Sequence, residues 1–213
     1  MKQIALIAGV AAFSILSGCA STNITSFTDP DYRATHFSRI LVVANVADLE
    51  WRNRIESRLV QELTKQGAFA IKGIELFPPT RDLDDEEKIN RLLHNRIDSY
   101  ITIDVGETGT QEVYIPQTSS TTKTTGSVNV TGSSATYREK SRTTTSGGYT
   151  VSKPWAKFTT KLFDVSSGVN AWVATAFTGG NAYANFNTVV NSFCDKIVQQ
   201  LLRDGLVVKV TPK

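Results

Sequence analysis

Arg39-Ile40-Leu41-Val42-Val43-Ala44 is an uninterrupted apolar run of β-favouring residues, the pattern of a strand covered on both faces. A strand of that kind needs helices on either side of its sheet, and the next residues supply the first one. Asp48 is placed to cap a segment in which Trp51, Ile55, Leu59 and Leu63 recur every four residues with Val60 beside them, and Gly67 closes it. The spacing predicts an amphipathic helix. Phe69, Ile71, Ile74, Leu76 and Phe77 then read as a looser strand stopped by Pro78-Pro79, and the acidic residues 84–87 open a second helix carrying Ile89, Leu92 and Leu93. Residues 99–105 alternate, with Ile101, Ile103 and Val105 on one face and Thr102 and Asp104 on the other. The first half is therefore expected to run β-α-β-α-β.

Beyond it, 106–153 turns to Ser, Thr and Gly, with apolar residues thinned to strand-spaced pairs such as Val113/Ile115, Val128/Val130 and Tyr149/Val151. Composition alone leaves two readings open, a low-complexity loop or an extended β-hairpin or meander. From Pro154 the alternation returns through Trp155, Phe158, Leu162 and Phe163. Ser166-Ser167-Gly168 follows, then Ala171-Trp172-Val173-Ala174 and Phe177, so strand, turn and strand form a hairpin. Val189, Val190, Phe193, Cys194, Ile197, Val198, Leu201 and Leu202 make the clearest helical stripe in the chain, ended by Gly205. That helix is expected to cover the sheet.

The 23 Lys and Arg stand against 20 Asp and Glu, a net charge of +3 spread along 213 residues. The field is too weak and too scattered for nucleic-acid binding. Met1-Lys2 precedes an apolar stretch over 4–15, followed at once by Leu16-Ser17-Gly18-Cys19. A stretch that short fits a secretory leader better than a bilayer span. Leu16-Ser17-Gly18-Cys19 resembles the lipobox of bacterial lipoproteins. The resemblance implies cleavage after Gly18, a diacylglycerol thioether on Cys19 and acylation of the new amine, and Ala20 in place of Asp implies sorting to the outer membrane. Residues 20–28, rich in Ser, Thr and Asn, then read as a flexible tether. With Cys19 acylated, no disulfide to Cys194 is expected, and the fold must hold by packing.

The β-α-β-α-β opening and Leu162-Phe163-Asp164-Val165-Ser166-Ser167-Gly168-Val169-Asn170-Ala171-Trp172, followed by an amphipathic last helix, resemble a broad set of Gram-negative envelope lipoproteins. The set includes the penicillin-binding-protein activator lipoproteins, the curli-secretion lipoprotein and the amino-terminal domain of TolB. The likeness covers roughly residues 38 to 208. It departs from the curli-secretion lipoprotein at 106–153, where apolar positions are too few for the lipid-facing band of a transmembrane barrel. Within the hairpin motif, Asp164 and Ser167 can close the turn through side-chain hydrogen bonds and Gly168 can take positive φ.

Chemistry is harder to find. His36 and His94 lie far apart, without the spacing of metal ligands or of a triad. Cys194 sits in an apolar stripe and suits a small buried hydrophobe. Asp82, Asp84, Asp85, Glu86 and Glu87 lack the spacing of a calcium loop and read as a helix start. Gly106-Glu107-Thr108-Gly109-Thr110 lacks the lysine of a phosphate loop and reads as a turn. One charge feature stands out: Lys123, Arg138, Lys140, Arg142 and Lys153 face Glu139 alone between 117 and 153. Such a segment can bind lipid headgroups, lipopolysaccharide or a polyanionic wall polymer. The same charges also suffice to keep a β-rich edge soluble, and this plainer role is favoured.

The sequence thus predicts an α/β (α+β) fold, a mixed β-sheet flanked by three helices. A signal peptide occupies 1–18, the acylated Cys19 and its tether 19–37, and a single periplasmic domain 38–213 with its insert at 106–153. The expected role is a non-enzymatic interaction or assembly module anchored to the outer membrane and facing the periplasm. It needs no catalytic residue, metal or cofactor, and its partner is an envelope protein. A subunit of an oligomeric export or surface-structure apparatus is the alternative, which leaves homo-oligomerisation open, and an envelope enzyme comes third.

Overall fold

The computed structural model describes residues 18–116, 120–131, 134–145 and 148–207. The expected leader lies outside them apart from Gly18. Strands β1 (Ala20–Thr28), β2 (Arg39–Asn45), β3 (Phe69–Lys72), β4 (Ser99–Ile115), β7 (Tyr149–Asp164) and β8 (Asn170–Gly180) form one mixed sheet in the order β1-β8-β7-β4-β2-β3. β5 (Ser120–Thr131) and β6 (Ser134–Thr145) pair as a separate antiparallel ribbon. The helices are α1 (Leu49–Lys65), the single turn α2 (Gly73–Leu76), α3 (Asp85–His94) and α4 (Phe186–Arg203). The chain divides into two compact units, one made of residues up to 109 and from 154 onward, the other of 110–153.

β2 lies between β3 and β4 and is parallel to both. Its alternate side chains enter two separate clusters. Ile40, Val42 and Ala44 join Ile55, Leu59 and Leu63 of α1 and Val189, Phe193 and Ile197 of α4. Leu41 packs instead with Leu76, Ile97 and the half-buried Leu92 and Tyr100 on the opposite face. The continuous apolar run is thus explained by burial on both sides. α1 begins where the Asp48 carboxylate accepts the Trp51 amide at 3.0 Å. α4 begins at a reciprocal cap between Asn185 and Thr188. Its Phe193 ring stacks on Phe158 at 3.9 Å between centroids, which ties the helix to β7.

The expected class stands, with three differences of detail. The stretch 20–28, expected as a tether, is an edge strand paired antiparallel with β8 over its whole length. Its polar residues hold it there. The Thr22 hydroxyl is bonded to those of Thr178 and Ser192, at 3.0 and 2.9 Å, and Ser26 Oγ donates to Asp204 at 2.7 Å. Ile24 between them packs against the core. Second, the strand expected to reach Phe77 stops at Lys72, and Gly73–Leu76 turn as α2, a fourth helix. Any Cβ at Gly73 would come within 2.9 Å of the Val42 carbonyl oxygen, so the close approach to β2 requires glycine. Third, 106–110 is not a turn but the middle of β4, where the Trp155 indole lies against the face of Gly109 and Lys157 pairs with Glu107 at 2.6 Å. Of the two readings left open for the Ser/Thr/Gly segment, the hairpin is the one found, with Ser120 opposite Thr145 and Thr131 opposite Ser134.

Candidate functional site

Cys19 is exposed and directly precedes β1. Its carbonyl oxygen accepts the Asn181 amide at 2.8 Å, so the backbone is already part of the fold at the residue expected to carry lipid. Gly18 backs onto the loop before α4. A Cβ there would fall 2.8 Å from the Tyr183 carbonyl carbon and 2.9 Å from Ala184 Cα, so the residue before the cysteine is sterically restricted to glycine in this arrangement.

The five candidate cations divide. In the β5–β6 register Lys123 faces Arg142, Thr125 faces Lys140 and Ser127 faces Arg138. Positions 123, 138, 140 and 142 therefore share one face of the pleat, and Glu139, opposite Gly126, falls on the other. Lys153 belongs to β7 rather than to the ribbon and is half-buried.

The remaining candidates resolve into structural roles. His36, exposed, bonds through Nδ1 to the Gly205 carbonyl, and His94 ends α3. Cys194 is fully buried with its thiol 3.9 Å from the Ile55 carbonyl oxygen, and burial pushes that thiol far above its ordinary range. Asp84 caps α3 by accepting the Glu87 amide at 2.7 Å, and Asp85 pairs with Lys88. Among the described residues no three His, Cys, Asp or Glu side chains come together as a metal site. No helix among them is long and apolar enough to cross a membrane. The Asp164 turn forms as its residues suggest. Its carboxylate accepts Ser166 and Ser167 hydroxyls at 2.8 and 2.7 Å and the Tyr32 hydroxyl at 3.2 Å, and Gly168 has φ of 70°. Burial works to raise the Asp164 pKa, but the bonds from Ser167, Ser166 and Tyr32 outweigh it and hold the carboxyl below the usual aspartate range.

Three features escape any reading of local pattern. Glu56, one position after Ile55 in α1, is completely buried. Its carboxylate accepts the amides of Ala44 at 3.1 Å and Ile74 at 2.8 Å and pairs with Arg52 at 3.0 Å, joining α1 to β2 and to the start of α2. Asp204 accepts the buried Trp172 indole N–H and the Ser26 hydroxyl, both at 2.7 Å, and so fastens β1 and β8 to the end of α4. The third is a half-open apolar cavity of about 260 Å³ just beyond the parallel pairing of β2 with β4, which ends at Asn45 and Asp104. Val46 lines it just past the end of β2, Val105 and Thr108 from within β4, Trp51 from α1, Phe186 and Val189 from α4, and Ala156 from β7. Trp51 and Phe186 meet edge to face at 6.5 Å and close one wall. The chain leaves β2 for β3 on one side and returns to β4 on the other, so the cavity sits at the switch point of the parallel strands, where open α/β sheets characteristically place ligands.

No family model matches the chain, and no curated protein matches it. Solved structures do. The PelC dodecamer from Paraburkholderia phytofirmans aligns with a TM-score of 0.49 and 14% identity, over 85% of this chain and 97% of that one. The lipoprotein GNA1162 from Neisseria meningitidis aligns with a TM-score of 0.41 and 14% identity, over 78% of this chain and 99% of that one. At such scores these likenesses assign no activity to the present chain.

Proposed function

We propose that the protein is an envelope lipoprotein, held on the outer membrane by acylated Cys19, whose folded body works by binding other envelope components. The observation that carries the reading is the exposed position of Cys19 immediately after Leu16-Ser17-Gly18 and immediately before β1. Several acyl chains, each worth about 0.8 kcal/mol per buried methylene, make such an anchor effectively permanent. With no tether between lipid and sheet, the domain rides close to the leaflet. Cys194 is buried and His36 bonds the Gly205 carbonyl, which favours a binding role over a catalytic one. In the test, Cys19→Ala releases the protein from the membrane fraction and abolishes palmitate labelling; retention of both properties would overturn the reading. Crosslinking in intact cells then identifies the partner.

A second contact is favoured by the register of the hairpin, which gathers 123, 138, 140 and 142 on one face. We read this face as a contact for an anionic lipid headgroup or polymer. Binding to anionic vesicles that weakens steeply with salt, and that disappears in a variant with these four residues changed to Ser, supports it. Salt-independent binding refutes it.

A further inference from the structure

We propose that the cavity outside β2 and β4 is a binding site for a saturated acyl chain. Its volume is about 260 Å³. An apolar cavity of about 150 Å³ admits a six-carbon ring, so by proportion this one accommodates about ten carbon atoms. Val46, Val105, Ala156, Phe186 and Val189 present hydrocarbon, Thr108 offers one hydroxyl, and no charged residue among the described ones lines the wall. Apart from that hydroxyl and the Trp51 indole, such a wall gives a polar ligand little to replace its lost water, whereas an unbranched hydrocarbon needs nothing. The half-open mouth lets the remainder of a longer chain, with its ester or thioether, stay outside.

The position of Cys19 narrows the source. Ala20 pairs with Gly180, and Ala156 pairs with Thr178 two strands away from β1. Two strand spacings of about 4.8 Å and three residues of about 3.4 Å place Cys19 roughly 14 Å from Ala156. One leaflet of hydrocarbon is about 15 Å deep, so a single acyl chain on Cys19 spans that distance. The chain that occupies the cavity can therefore come from Cys19 itself or from a bilayer lipid. The first source rests on the acylation proposed above; the site does not.

Equilibrium dialysis of labelled decanoate against the processed chain, made without its leader so that the thiol stays unmodified, tests the site. The expected result is saturable one-to-one binding that falls at least tenfold in Ala156→Phe, whose thermal unfolding is unchanged or raised because the ring fills the cavity. Val105→Phe, at a half-buried position, gives the same comparison should Ala156→Phe fail to fold. Absence of saturable binding, or equal binding by the filled variants, overturns the proposal. Photoactivatable palmitate fed to cells separates the sources. A crosslink joining the Cys19 peptide to the peptide of Phe186 and Val189 assigns the protein's own chain, and a phospholipid adduct on that peptide assigns a bilayer lipid. An unmodified Cys19 in the same spectra would refute the anchor and leave the dialysis result standing.

Discussion

Replacing Glu56 with Ala strands two backbone amides and one guanidinium at once. The Ala44 amide is buried, the Ile74 amide half-buried, and the Arg52 side chain is 17% exposed, so the guanidinium turns to water most readily and the Ala44 amide not at all. A buried donor left without an acceptor costs about 1–3 kcal/mol, and breaking a buried ion pair by removing one partner costs about 3–5 kcal/mol. The effects overlap, so we expect Glu56→Ala to lose about 4 kcal/mol, a large share of the roughly 5–15 kcal/mol that holds a domain together. With a urea m-value near 2 kcal/mol/M, the midpoint of far-UV unfolding should fall by about 2 M at unchanged slope. Glu56→Gln keeps an acceptor of the same shape and should lose only about 1–2 kcal/mol. The decisive variant is Arg52→Met with Glu56→Met. If Glu56 mattered only as half of an ion pair, an apolar pair of similar volume would restore stability. Because its acceptors serve backbone amides that methionine cannot satisfy, the double variant should remain at least about 2 kcal/mol below wild type. A double variant as stable as the parent would refute this account.

Asp204→Ala should cost about 2–3 kcal/mol in the same assay, since it strands the buried Trp172 indole N–H and loosens Ser26 of β1. The depressed Asp164 carboxyl contributes stability that is complete above the unfolded aspartate value of about 3.9 and is lost as pH falls through its lower folded value. Asp164→Asn should therefore be less stable than wild type at neutral pH, with the two unfolding curves converging in acid; a constant gap across pH would refute it. In the processed chain carrying Cys19→Ala, a thiol reagent should leave Cys194 untouched until urea unfolds the protein, and modification at native pH without unfolding would contradict its burial.

Elements whose stability is local could be read from sequence. In α1 the stripe Trp51, Ile55, Leu59 and Leu63 is also the packed face, and the Asp164–Gly168 turn closes through side chains two and three residues away. β1 could not be read this way, because what makes it a strand lies more than 150 residues distant, in Thr178, Ser192 and Asp204. Without those partners Ser-Thr-Asn composition resembles a linker. The misjudged end of β3 has a similar origin. Ile74, Leu76 and Phe77 have strand-like spacing, yet Gly73 fits against Val42 and the buried Glu56 takes the Ile74 amide, which turns the chain into α2. Of the candidate sites, Cys19 rests on a contiguous sequence motif, Leu16-Ser17-Gly18-Cys19. The apolar cavity is assembled from β2, α1, β4, β7 and α4 and has no signature in any one of them.

The two edges of the sheet differ in a way that decides where strand addition can act. β3 offers only Phe69–Lys72, with the Arg39 guanidinium 4.0 Å over the Phe69 ring and Lys72 paired to Glu75. A short edge bearing such charges is a poor template for another strand. β1 offers nine residues without a charge or a proline, the kind of edge that invites pairing unless something restricts it. The acylation proposed for the preceding residue would supply a restriction, since it would hold the edge beside a leaflet and limit encounters to partners at the same surface. A spacer of Gly and Ser inserted between Cys19 and Ala20 would preserve the proposed anchor while moving the edge away from the lipid. Partner capture in cells should then fall although the protein remains in the membrane fraction. Capture that survives the spacer unchanged would move the contact away from β1.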